Sequence, residues 1–583
     1  MGNIHFTMRM LCRFSGGRAF RTAASGAIAA TGISLLRRRI SFSDRSASLR
    51  MITGHWFDIN EPDRAVYDPS CLMDRTGQSF RLGLCIVLAL MAPAVPVAAA
   101  GELNAADFAL MDRLTFGVTP SGAEHLKTVG TEHWLEEQLH PQASPGLPPA
   151  VQAQIEAMPD VHKFPFDIAV SFDQQAQAAN KMTDPDQRKA AQQALQQAMT
   201  ERARQAAARS ILRALYAPDQ LQERMTWFWF NHFNVHQYKA NLRILVGDYE
   251  DRAIRPFAMG HFRDLLSATL HHQAMLRYLD NADNAVGHLN ENYAREIMEL
   301  HTMGVGSGYA QSDVEQLARI LTGVGIDLKP EDPKLKPELM SQLFRQGAFE
   351  FNPARHEYGD KTFLGHLIKG RGLAEVDEAL DILCRQPATA NHISQKLATY
   401  FVGDNPPAAL VARMAQTFRS SDGDITAVLS TMLHSPEFAA SLKTGAKFKD
   451  SVQYVMSAVR MAYDGKVILN TLPIQNWLNR LAEGLFNHET PDGYPLTSAT
   501  WDGPGQMMVR FEIARQIGSG SAGLFKPDVP NATDQPAFPL IQNALFFTSL
   551  RQTLSPTTLA TLDEAVSPQD WNTLFLSSPE FMY

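Results

Sequence analysis

Apolar residues recur at intervals of three and four along nearly the whole of residues 101–583, whereas strict two-residue alternation is scarce. Such a chain must bury its apolar stripes helix against helix. The expected fold is therefore all-α, a large multi-helix globular fold of two helical lobes with little or no β. The run AFEFNP at 348–353 is the best strand candidate. Asp184-Pro185 suits a helix start, and no Gly or Pro follows until Pro218, which predicts about 30 helical residues, roughly 45 Å long. The first half of that helix holds only Leu195 and Met199 as large apolar residues and reads as a solvent-covered arm. Leu221, Met225, Phe228, Trp229 and His232 share one helical face, and Val314, Leu317, Ala318 and Leu321 share another, with Ser312 and Glu315 as its capping box. Ser-Pro-Glu occurs at 435–437 and again at 578–580, in each case fitting N-cap, first helical position and first-turn acid.

The first hundred residues follow another logic. Arg75 and Arg81 precede an apolar run from Leu82 to about Val97, and Ala98-Ala99-Ala100 supplies small residues before Gly101. That pattern predicts a signal peptide over 73–100, with translation starting at Met73 and residues 1–72 an upstream extension from a mis-called start. The apolar run is shorter than the ~20 residues that span a bilayer, so no stable membrane anchor is expected after cleavage. Residues 1–100 hold 12 of the 53 basic and 6 of the 61 acidic side chains, which leaves 41 against 55, a formal −14, for residues 101–583. So acidic a chain suits neither nucleic acid nor an anionic membrane. Of the four cysteines only Cys384 lies beyond residue 100, so neither an internal disulfide nor a cysteine metal cluster is open to that part. The proline-rich stretch 329–338 is the expected boundary between lobes at 101–328 and 339–583.

Chemistry concentrates in NENYAREIMELHTMG, residues 290–304. At 100° per residue Asn290, Tyr293, Ala294, Ile297, Leu300, His301 and Gly304 face inward, while Glu291, Arg295 and Glu299 form an outward ion-pair ladder with Glu296 at the flank. His301 thus falls on a packing face, as do His232 and His272 on their own helices, and buried imidazoles need partners. His232 and His236, at i and i+4, could bind one ion, but HFNVH lacks the glutamate of the zinc-protease signature. No phosphate loop, nucleophile elbow or haem-attachment motif occurs.

The segments LMDRLTFGVTP (110–120), ERMTWFWFNHFNV (223–235), NENYAREIMELHTMGVGSGYAQSDVEQLARILTG (290–323) and FNPARHEYGDKTFLG (351–365), with the SPEF ending, resemble the bacterial exported family called domain of unknown function 1800, from about residue 108 to the end. The resemblance implies a periplasmic or secreted protein, often encoded beside an exported protein of alkaline-phosphatase-like appearance. It carries no established reaction or cofactor. The family pattern covers His232, His272, Asn290, Glu291, Asn292, Arg295, Glu296, Glu299, His301, Gly304, Asp313 and His356, with Gln273 where proline is expected and Glu357 where aspartate is. We therefore expect an exported α-helical, hydrolase-like enzyme with catalytic His301, Glu296, His232, His272 and His356, and substrate-binding Asn290, Asn292 and Arg295; metal and cofactor stay unknown. In that scheme a histidine of near-neutral pKa moves protons and Arg295 steadies an anionic group. The alternative is a non-enzymatic periplasmic scaffold that docks the co-encoded partner through the 185–216 arm.

Overall fold

Helices begin where short polar side chains can take up their first N–H groups. Asp184 Oδ1 accepts from the amides of Asp186 and Gln187 at 2.9 and 3.0 Å, and the helix then runs Pro185–Tyr216. Its buried residues begin at Met199, so the first half is the expected arm, laid against the Pro165–Lys181 helix. Both Ser-Pro-Glu copies cap as expected: Ser435 Oγ accepts from Phe438 N–H and Ser578 Oγ from Phe581 N–H. The second opens a single turn, Pro579–Met582. One cap differs from expectation. The Gln311–Ile320 helix starts two residues early, which puts Ser312 inside the first turn; Asp313 Oδ2 instead accepts from Ala310 N–H at 2.8 Å.

The computed structural model describes residues 103–583 apart from 142–145, 445–446, 530, 534 and 536, so the expected extension (1–72) and signal peptide (73–100) lie outside the described residues. The fold is all-α: 61% helix against 4% strand. AFEFNP does supply a strand, Phe349–Phe351, central and antiparallel between Val324–Ile326 and Phe344–Gln346, with Val324 and Phe344 both opposite Phe351. Lys361–Phe363 and His366–Ile368 form a hairpin whose two loop residues, Leu364 and Gly365, both have positive φ. No helix among the described residues is long and apolar enough to cross a membrane.

The described residues fall in one compact unit, and the stretch 329–338 lies inside it. Hydrogen bonds join the chain before that stretch to the chain after it: Arg113 Nη1 to the Phe401 carbonyl at 2.7 Å, Asn231 Nδ2 to the Tyr494 carbonyl at 2.9 Å, and Tyr278 OH to the Glu489 carbonyl at 2.7 Å. Packing explains the mutual fit. The Gln220–His232 helix is buried on all sides rather than on one face, and Ser451–Tyr463 is nearly so. Gly117, at φ +99°, lies against the latter: a Cβ there would fall 2.3 Å from Ser457 Cβ and 2.7 Å from Ser457 Cα. Gly117→Ala therefore combines left-handed strain with a clash against backbone, and is expected to cost about 2–4 kcal/mol, read as a lowered urea midpoint with unchanged slope.

Candidate active site

The 290–304 stretch does not form one regular helix. An α-helical start, Asn292–Glu296, widens into a π-helical turn, Ile297–His301, which ends at Gly304 with φ +92°. A wheel drawn at 100° per residue therefore fails after Glu296. The outward ladder holds, with Arg295 3.1 Å from Glu291 and 3.5 Å from Glu299, and a third bond to Gln311 Oε1. Arg295 is thus occupied on the surface. Asn290 and Asn292 have structural partners as well. Asn290 Oδ1 accepts from the Asn292 amide, its Nδ2 donates to the Asp280 carbonyl, and Asn292 Nδ2 donates to the Leu279 carbonyl.

The end of the π turn leaves carbonyls with no helical N–H to accept. His232 Nε2 donates to the His301 carbonyl at 3.0 Å, and His392 Nε2 to the Leu300 carbonyl at 3.4 Å. Carbonyls only accept, so both Nε2 atoms carry the proton and a neutral ring keeps its lone pair on Nδ1. His232 lies 6.1 Å from His301 and 6.3 Å from His392, ring centre to ring centre, among Phe228, Trp229 and Phe233. His232 Nδ1 and both ring nitrogens of His301 are buried without a protein partner.

Burial, with the Lys396 charge adding to it, pushes the His301 pKa down to about 3 and that of His392 to about 4, and holds His232 well below its ordinary value. The near-neutral titration expected of these imidazoles is therefore absent; they are neutral bases throughout the physiological range. Lys396, one turn beyond His392, is pushed down to about 8 by burial against the opposing pull of Asp492. Glu296 is half-buried, and burial with Glu299 beside it raises its carboxyl. The arrangement offers neutral imidazole lone pairs next to an amine that changes charge close to neutral pH.

The other two expected histidines have separate partners. His272 does not continue a helix; it sits extended between Phe262–His271 and Gln273–Tyr278, caps the second through Nδ1 to Ala274 N–H, and places Nε2 2.9 Å from Asp248. His356 is held between the chain just before the Val324–Ile326 strand and the Ala374–Arg385 helix. Its Nδ1 donates to the Thr322 carbonyl at 2.7 Å, and its Nε2 lies 3.0 Å from Glu375, which also pairs with Lys361. All three of these side chains are fully buried. The helix bearing His232 ends at that residue, so His236 is not its i+4 helical neighbour and the single-helix chelate falls away. Among the described residues no three His, Cys, Asp or Glu side chains form a group able to hold a metal ion. Sequence reasoning missed His392, Lys396 and Asp492. The first two carried a signal, polar residues at i and i+4 flanking the buried stripe of Ala390, Ile393 and Leu397; the Asp492 loop carried none.

A family model described as protein of unknown function (DUF1800) matches residues 109–583, which include every residue named in this site. The chain belongs to the DUF1800 family. No curated protein and no solved structure matched it. The DUF1800 match extends unbroken from the first described helix through the histidine site to the last turn.

Three outcomes follow from the ionisation states. His301 and His392 bind protons less readily folded than unfolded, so their contribution falls as pH drops from about 6.5 towards 4. Urea unfolding across pH 4–8 is expected to show a shallower acid decline for His301→Phe than for the native chain. Glu375 behaves as an acid held below its ordinary pKa: against the cost of burial, His356, Lys361 and the Arg371 and Gly372 amides stabilise its charge. Glu375→Ala should cost about 3–5 kcal/mol at pH 7, since it strands a buried lysine. For Glu375→Gln the melting-temperature deficit should shrink as pH falls below the ordinary carboxylate range, where the native carboxylate also becomes neutral.

Proposed function

We propose that this DUF1800 protein is an exported, hydrolase-like enzyme working by proton transfer at the His232, His301 and His392 cluster. One observation carries the reading. Three buried ring nitrogens on His232 and His301 point at no protein partner, a costly arrangement that a substrate or bound water would relieve. Its setting at a π turn supports the same view, because such turns recur at functional sites. In this scheme a neutral His301 takes a proton from water or a substrate hydroxyl. As that oxygen bonds to the substrate and the leaving oxygen departs, the Lys396 ammonium gives the leaving oxygen a proton; the proton held by His301 then restores the ammonium, and Glu296, with its raised carboxyl, exchanges protons with solvent. His272 and His356 serve the fold, and Arg295, Asn290 and Asn292 position the turn.

The test is a hydrolysis panel of esters and glycans with the full chain, His301→Asn and Lys396→Met, each checked for native circular dichroism. Activity on at least one class, reduced about 100-fold or more in both variants, is the expected outcome. Amine-reactive labelling should show Lys396 gaining reactivity around pH 8, ahead of the exposed lysines. No turnover together with ordinary Lys396 labelling would remove the reading.

A scaffold role keeps one observation of its own, the exposed half of the Pro185–Tyr216 helix and the open groove between it and the Pro165–Lys181 helix. If that hairpin docks the co-encoded alkaline-phosphatase-like protein, trimming its tip abolishes co-purification while His301→Asn does not.

A further inference from the structure

A second concave feature lies where the Pro185–Tyr216 helix meets the 155–168 and 243–252 segments, enclosing about 120 Å³. Six cations line it: Lys163, Arg202, Arg209, Arg213, Arg243 and Arg252. Three carboxylates oppose them: Asp160, Asp248 and Asp251. A local excess of three positive charges on a chain of net −8 is unusual in position as well as sign. The cleft shares no residue with the histidine site.

The carboxylates do not consume that excess, because each is shared between cations. Asp160 serves Lys163 and Arg202, both at 2.8 Å. Asp248 serves Arg252 and His272, both at 2.9 Å. Asp251 serves Arg213 and, at 3.3 Å, Arg209. A guanidinium has five N–H donors in a fixed fork, so this sharing leaves donors over. Backbone geometry favours the same arrangement. Gly247 occupies a helical turn, where glycine costs about 1 kcal/mol relative to alanine. A Cβ at this position would lie 2.4 Å from an Nη of Arg209 and 2.7 Å from Ala206 Cβ. The missing side chain thus lets the Arg209 guanidinium lie against the opposite wall.

We propose that this cleft binds a tetrahedral oxyanion, a phosphoryl or sulfuryl group. The space accommodates such a group. Forked guanidinium donors match paired oxyanion acceptors, and a dianion offsets most of the three-charge excess. The group is either a free ion or the charged end of a larger molecule whose remainder projects out past Arg252, whose side chain is 61% exposed.

Calorimetric titration of the full chain at ~50 mM salt, with inorganic phosphate, inorganic sulfate, phosphoserine and a monosaccharide 6-sulfate, tests the proposal. At least one probe is expected to bind, more weakly as salt rises. Arg209→Gln and Arg252→Gln should each weaken it about tenfold, whereas Arg413→Gln, at a distant exposed pair with Glu437, should not. An organic probe binding tighter than its inorganic counterpart marks the group as part of a larger ligand; equal affinity marks a free ion. If none of the four probes binds, or both cleft variants bind like the native chain, the proposal is overturned. Should Arg209→Gln fail to fold, exposed Arg252→Gln decides alone. None of these results depends on whether His301 is catalytic.

Discussion

The widened turn at 297–301 organises its surroundings because its last carbonyls point into the protein interior, where an unmet acceptor is costly. Two imidazoles from other helices supply the missing N–H groups: His232 from Gln220–His232 and His392 from Pro387–Phe401. Chain from before and after the 329–338 stretch is thereby tied to one point. The same contact decides the chemistry. By donating from Nε2, His232 turns its Nδ1 lone pair to the interior, among the rings of Trp229 and Phe233. Packing and imidazole tautomer here come from one hydrogen-bond requirement.

Buried charge is the second recurring device. His356, Glu375 and Lys361 form a wholly buried triad, and Arg255 gathers Glu223, Glu250 and Asp251. Arg224, 1% exposed, lies over the rings of Phe116, Tyr400 and Phe401. Such groups add little net stability, since desolvation offsets their attraction, but each tolerates few alternative neighbours. That selectivity matters for a region whose single thiol, Cys384, is partly buried with its pKa pushed up to about 12 by desolvation. The Lys449 ammonium does comparable work at the end of the chain, reaching Asp112 and the Phe581 carbonyl.

The histidine site and the cationic cleft are neighbours through Tyr249. Its hydroxyl donates to the Phe233 carbonyl, and the Phe233 ring lies 5.0 Å from His301; its own ring lies 5.1 Å from His272, the partner of Asp248 in the cleft wall. Tyr249 also opens the second π-helical segment, Tyr249–Ile254. Two irregular turns, one of them opened by this buried tyrosine, thus lie near imidazoles.

Helix class, the Pro185–Tyr216 arm, the Ser-Pro-Glu caps, the Glu291–Arg295–Glu299 ladder and the inward turn of His232 and His301 were all legible from the sequence, because each depends on neighbours within about one helical turn. Of the five residues expected to share one site, the structure brings His232 and His301 together. His272 and His356 share the apolar setting of His301, but Asp248 and Glu375, the carboxylates that claim them, lie 24 and 19 residues away, and no local spacing announces such a pairing. The π turn was equally hidden, since regular α-helical periodicity is assumed by any wheel. Sequence alone determined which side chains must leave water. Tertiary structure alone decided which of them meet, because whether a buried polar atom finds a partner depends on helices brought together from opposite ends of the chain.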